Sequence, residues 1–247
     1  MKQAVFILVI IVIINTGAVL SNQKKSSAYK LDMAKDSVDD QFIGCDEKTY
    51  KMIKKVLKKE LNKNKDFKNI WNKYSNITDD FTRIIKVYTD SWGFHSKFND
   101  AVSSGKIYYP KKFYYTAFHF LLTRAVQMYK VPRCIDVFRR TNVHFEIPKI
   151  NDVMRFGRFA STSVKDDMHE IFGSKSCFKI NTCFGANIAK LSVKPKEEEV
   201  LVPPFEIFTI TNIEINIEKT LKCEVLYTLK SAGTFSCMNC ELLKKLY

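Results

Sequence analysis

The sequence has 247 residues, 46% of them hydrophobic, with 40 lysines and arginines against 26 acids and a formal charge of +14 at pH 7. That length and apolar content suffice for one large domain with a sizeable core, and no repeat, linker or low-complexity block divides it. The basic balance favours acidic surfaces, but the lysines are scattered along the chain rather than gathered into a binding motif, so no nucleic-acid partner is expected.

After Met1-Lys2, no polar residue interrupts Ala4 to Ile14. This run is too short to cross a bilayer and suits the core of a signal peptide. Small residues near Ala18 and Ser21 fit a cleavage site, so residues 1–22 read as a signal peptide and 23–247 as a single domain. An apolar core helix of a cytosolic protein is the other reading of the same run. The final stretch, Leu242 to Tyr247, lacks the polar spacer and long apolar tail of a lipid-anchor signal. The expected product is a secreted, extracellular monomer without stable membrane insertion.

Export gives the cysteines a new meaning, because oxidising compartments let disulfides persist. There are seven, Cys45, Cys134, Cys177, Cys183, Cys223, Cys237 and Cys240, so at least one is free or paired between molecules. Cys237-x-x-Cys240 has no second pair at zinc-like spacing, and no metal site is expected. Asn76-Ile77-Thr78 is a glycosylation sequon.

Asp46 to Lys65 reads as an amphipathic helix, with Tyr50, Ile53, Leu57 and Leu61 on one face and a solvated lysine face opposite. Helical patterns follow over Asp79 to Val87 and Tyr114 to Tyr129. From Cys134 onward the texture changes to short strand-like runs: Ile135 to Phe138, Phe156 to Ser163, Cys177 to Ile180, Ile188 to Val193, Glu199 to Val202, Ile207 to Glu214 and Cys223 to Thr228. Helices followed by closely spaced strands predict an α+β domain with largely antiparallel sheets.

Three polar groupings sit beside these runs: Arg139 after Val137-Phe138, Ser161-Thr162-Ser163, and Glu197-Glu198-Glu199 before Val200. On a strand Glu197 and Glu199 share one face. Their repulsion then raises the apparent pKa of one member towards neutrality. A charged, merely solvated turn explains the same acids, and composition alone favours it.

Longer segments add context. Leu31 to Ala34, Ser37 to Cys45, His119 to Ala125, Arg155 to Phe159, Thr182 to Ala186 and Glu199 to Glu206 together resemble, in order, segments of the arginine-specific ecto-mono-ADP-ribosyltransferase family and its toxin relatives. The resemblance covers most of the chain. It implies an α+β fold with a helical N-terminal half and a mainly antiparallel two-sheet core, and an enzyme that transfers ADP-ribose from NAD to arginine-bearing proteins.

The family's catalytic arginine, serine and glutamate fall on Arg139, Ser161 and Glu199, and its second glutamate falls on Glu197. Arg139 would fork onto the NAD diphosphate. Glu199 would stabilise positive charge developing on the ribose as nicotinamide leaves. Glu197 would orient the acceptor guanidinium and take its proton, while Ser161 would hydrogen-bond near Glu199. Thr162, Ser163, Arg158 and Phe159 would lie at the cofactor, with Phe156 or Phe159 stacked on nicotinamide or else packed in the core. Ser192 to Glu198 would form the acceptor turn, presenting Lys194 and Lys196.

The resemblance also implies the pairs Cys45–Cys240 and Cys134–Cys183, leaving Cys177, Cys223 and Cys237 unassigned. Arg140 departs from the pattern, because glycine commonly follows the arginine; its side chain either hinders NAD or adds a phosphate contact. NAD glycohydrolysis and a catalytically weak binding protein remain the alternatives.

Overall fold

A computed structural model describes residues 29–90, 93–166, 172–217 and 222–244. The expected signal peptide and its cleavage site lie outside the described residues.

The first half is helical: α1 Asp46–Lys63, α2 Lys65–Lys73, α3 Asp80–Asp90, α4 Phe94–Ser104 and α5 Thr116–Met128, with a short α6 at Glu241–Lys244. The helix predicted over 46–65 stops at Asn64. That residue is extended at φ −122° and ψ 100°, and its side chain accepts the Phe67 backbone N–H at 3.0 Å, so it starts a second helix. Asp79 likewise accepts from Thr82 N at 2.7 Å, ahead of α3. Sequence periodicity missed α2 and α4, both of which are short.

Helix α5 is buried nearly all round. Its first turn is capped by a side chain from another helix, with Ala117 N donating to both Glu60 carboxyl oxygens at 3.1 Å. Burial pushes the Glu60 pKa up to about 8.

Eight strands follow: β1 Ile135–Thr141, β2 Val153–Met154, β3 Ala160–Ser163, β4 Ser176–Thr182, β5 Ala186–Asn187, β6 Glu199–Val202, β7 Glu206–Ile217 and β8 Cys223–Thr234. They form one sheet in the order β2-β7-β8-β4-β1-β3-β6-β5. This corrects the two-sheet expectation, since the ladder is continuous. It is also mixed, because β4 pairs parallel to β8 while the other neighbours are antiparallel. The strand predicted over 188–193 is instead a turn held by Leu191 N and Ser192 N donating to Ile188 O.

Two apolar clusters explain the architecture. One sits beneath the helices and reaches the sheet through Phe159, Ala186, Ile188 and Leu201. The other takes residues from seven strands, among them Val137, Phe178, Val200, Phe208 and Tyr227, so the twisted sheet encloses part of its own core.

Three disulfides brace this frame: Cys45–Cys240, Cys134–Cys183 and Cys177–Cys223, with Cys237 free and exposed. A buried polar knot lies near the first. Arg155 Nη1 donates to Asp39 at 2.6 Å and to Phe235 O at 2.8 Å, while its Nε donates to Met33 O at 2.8 Å. Asp40 accepts from Cys240 N and Glu241 N at 2.8 Å. Most of the resembling segments therefore carry structural hydrogen bonds.

Candidate active site

Strands β1, β3 and β6 are sheet neighbours, with Phe138 opposite Ser163 and Ser163 opposite Glu199. Arg139, Ser161 and Glu199, 60 residues apart along the chain from first to last, are thereby brought to one cleft of about 240 Å³. Arg140, Thr162, Ser163, Lys165, Lys196 and Glu197 also line it.

Arg139 is aimed by Nη1 donating to Ser161 O at 2.8 Å. Glu199 begins β6 with only 5% of its surface exposed. Burial raises its pKa to about 7; the Ser161 hydrogen bond opposes this, the Glu197 charge adds to it, and Lys194 and Arg139 oppose it. The near-neutral carboxylate expected from paired acids is present, but desolvation is its main cause rather than like-charge repulsion.

Strand alternation does not unite Glu197 and Glu199. Glu197 closes a 3-10 helical turn, Pro195–Glu197, and Glu198 then adopts a left-handed φ of 46° before β6 begins. That kink turns both flanking carboxylates to the cleft. Lys194 lies 3.3 Å from Glu197, and Lys165 lies 3.1 Å from Glu198. The turn is tied to α3, where Thr89 Oγ1 accepts from Val193 N at 3.1 Å and Lys86 Nζ donates to Ser192 O at 3.2 Å.

Several predicted contacts take other roles. Phe159 is 1% exposed and stacks on Phe98 at 5.7 Å in the helical core, so it does not line the cleft. Phe156 packs on Phe178 and Phe208. Arg158 reaches Asp100 at 3.3 Å and Ser103 at 3.1 Å. The Thr162 hydroxyl donates to Val200 O at 2.6 Å, and Ser163 Oγ accepts from Lys165 N at 3.0 Å.

Arg140 lines the cleft while its guanidinium bridges two loops, Nε donating to Gly173 O at 2.8 Å and Nη2 to Lys222 O at 3.3 Å. Gly173 has φ 112°, and a Cβ there would collide with the Thr141 and Asn142 backbone, which explains the glycine.

Sequence reasoning missed Tyr88, one residue beyond the predicted end of its helix. It is 2% exposed. Its hydroxyl accepts from Asn99 Nδ2 at 3.0 Å and donates to Phe159 O at 3.2 Å, with Ser161 beside it. Asn99 Oδ1 accepts Phe159 N at 3.2 Å, which fixes the amide orientation. Burial and then the Glu199 charge push Tyr88 up to about 12. Asn99 and Tyr88 thus tie α4 and α3 to the start of β3, next to Ser161. A buried tyrosine needs partners for its hydroxyl, but no local signal says which strand supplies them.

Among the described residues no group of three or more histidines, cysteines and acids is placed to hold a metal, and no helix is long and apolar enough to cross a membrane.

Comparisons with known proteins agree with this geometry. An NAD(P)(+)--arginine ADP-ribosyltransferase 2 of Gallus gallus is 30% identical over 92% of this chain and 81% of its own. T-cell ecto-ADP-ribosyltransferase 1 of Mus musculus is 31% identical over 85% and 77%. The crystal structure of the eukaryotic mono-ADP-ribosyltransferase ART2.2 superposes with a TM-score of 0.72 at 28% identity, covering 86% of this chain and 98% of that one. Residues 31–225 match the family model described as NAD:arginine ADP-ribosyltransferase, and the chain belongs to that family.

Proposed function

We propose that this protein transfers ADP-ribose from NAD to arginine side chains of other proteins, releasing nicotinamide. The observation that carries the reading is the convergence of Arg139, Ser161, Glu199 and Glu197 on one cleft from three adjacent strands and a kinked turn. A mutant of ART2.2 is solved in complex with NAD, which supports NAD as the co-substrate.

The cleft is smaller than the ~300–1,000 Å³ of sites that enclose a whole ligand. It therefore holds part of NAD rather than the whole molecule. Arg139 supplies a fixed fork of donors for phosphate oxygens. Cleavage breaks the bond between the ribose carbon and the nicotinamide nitrogen, and the electron pair leaves with the ring. The ionised Glu199 stabilises the positive charge that then spreads over the ribose, a charge larger in the transition state than in the ground state. A guanidinium nitrogen attacks the same carbon, and Glu197 accepts the proton it sheds. Ser161, donating to Glu199, keeps that carboxylate oriented.

We also infer export, with residues 1–22 removed and one catalytic domain from residue 23. Three disulfides and relatives named ecto-enzymes support an extracellular site. Asn76 is exposed in the turn after α2, where a glycan meets no steric obstacle from the core. The protein acts as a monomer without nucleic acid.

The test is nicotinamide release from NAD by the purified, oxidised protein, with and without agmatine as an arginine-like acceptor. Release that rises with agmatine and yields ADP-ribosyl-agmatine is the expected result. Release indifferent to agmatine would make the protein a glycohydrolase, and no release would make it a binding protein.

A further inference from the structure

One stretch of the chain is much richer in lysine than the rest. Helices α1 and α2 with their junction carry ten lysines and no arginine between residues 46 and 73. On α1, Lys51, Lys54, Lys55, Lys58, Lys59 and Lys63 are all exposed, while Ile53, Leu57 and Glu60 turn into the core. None of those six has a carboxylate within ion-pair distance among the described residues. Asp46 pairs with Arg124 and Asp66 with Lys97, while Glu47 stands exposed in the first turn. Like charges three and four residues apart on a helix repel, and from Lys51 to Lys63 the helix carries no exposed acid to relieve that repulsion.

The face is shaped as well as charged. A groove of about 290 Å³ where α1 meets α2 and α3 is lined by Lys54, Lys58, Lys68 and Arg83 with one acid, Asp80, which accepts from the Tyr50 hydroxyl. Around the corner at Asn64, a second depression of about 570 Å³ is lined by Lys63, Lys65 and Tyr114 with one acid, Asp66, which pairs with Lys97. Lys63 sits over the Tyr114 ring at 5.6 Å. From Lys48 to Lys63 the helix rises about 22 Å at 1.5 Å per residue, about twice its own diameter, a face longer than it is wide that suits a linear polymer.

We propose that the α1–α2 face binds a linear sulfated polysaccharide, which would hold the enzyme at an extracellular surface. The choice of polymer rests on the extracellular reading above; the surface itself does not. No large apolar side chain of α1 is exposed to enter a bilayer. The patch holds one exposed ring, Tyr114, where single-stranded nucleic acid binders offer a series of stacking rings. Lysine ammoniums act as point charges towards sulfate, without the planar fork that arginine would bring.

The experiment compares binding of the oxidised protein to heparin across a salt series. Replacing Lys54, Lys58 and Lys68 with glutamine should lower the slope of log affinity against log salt by about two, at roughly 0.7–0.9 for each polyanion charge that the variant no longer neutralises. The control removes the same charge elsewhere, at the exposed Lys149, Lys190 and Lys230, and should change the slope by less than half as much. Equal decreases in the two triples would overturn the proposal, because net charge alone would explain binding. So would tighter binding to single-stranded DNA or to phosphatidylserine vesicles than to heparin at the same salt. Nicotinamide release, measured without heparin, should match the parent in both triples. A protein that binds heparin through these lysines yet releases no nicotinamide would sink the transferase reading and leave this one standing.

Discussion

Replacing Glu199 with glutamine should stabilise the protein as it removes activity, by an amount that depends on pH in a known direction. Burial raises the Glu199 pKa from 4.5 to about 7. Below pH 4.5 the carboxyl is protonated in both folded and unfolded chains and has no differential effect. Between 4.5 and about 7 the unfolded chain loses its proton while the native state keeps it, so native stability falls as pH rises. Above 7 the native state carries the full burden, roughly 3 kcal/mol at about 1.4 kcal/mol per pH unit. Glutamine never ionises. The variant should therefore gain under about 1 kcal/mol relative to the parent at pH 5 and roughly 3 kcal/mol at pH 8, beyond a constant offset from its altered hydrogen bonding. For a domain of this size that difference is about 5–10 °C in melting temperature. Other carboxyls with raised pKa values, such as Glu60 and Glu206, are common to both proteins and cancel. Thermal unfolding of the two oxidised proteins at pH 5 and pH 8 reads the effect, and nicotinamide release should drop about 10²–10³-fold in the same variant. A melting-temperature gap that is the same at both pH values would refute the reasoning, since Glu199 would then not be a buried, ionising group.

The neighbouring residues make separate predictions. Glu197→Gln should abolish stimulation by agmatine while leaving NAD cleavage within a few fold, as its proposed role of taking the acceptor's proton requires; parallel loss of both rates would reject that division of labour. Tyr88→Phe removes the hydroxyl that accepts from Asn99 and donates to Phe159 O, and should destabilise the protein by about 1–3 kcal/mol in urea unfolding; an unmoved midpoint would make that hydroxyl dispensable to the fold. Asp39→Ala strands Arg155 in the core and should destabilise by about 3–5 kcal/mol in urea unfolding. Cys45→Ser with Cys240→Ser opens a cross-link between residues 195 apart. In the chain-entropy model this loses about 5 kcal/mol, with the rate per folded molecule unchanged at a permissive temperature.

Much of the site was legible before any coordinates, for reasons tied to particular residues. Arg139, Ser161 and Glu199 each sit in or at the start of a short apolar run, and all three runs became strands. The acids at 197–199 betrayed a charged centre by their density. What they did not reveal was the backbone between them, where the left-handed Glu198, rather than strand alternation, turns both carboxylates inward. Of the two readings held for Phe159 its burial against Phe98 favours the core, because an aromatic residue beside a motif and an aromatic residue in a core look alike in one dimension.

The sequence by itself determined the local elements, the α+β class and the family, because these depend on short-range patterning, segment order and the chemistry of single residues. Only the tertiary structure decided what depends on pairing between distant segments. It merged the strands into one mixed sheet, spent Arg140 on the carbonyls of Gly173 and Lys222, and brought Tyr88 from a helix to the side of Ser161. It also gathered the lysines of α1 and α2 around shared grooves. Burial belongs to the same list, since the near-neutral pKa of Glu199 comes chiefly from the water its neighbours exclude, which no residue carries in its own identity.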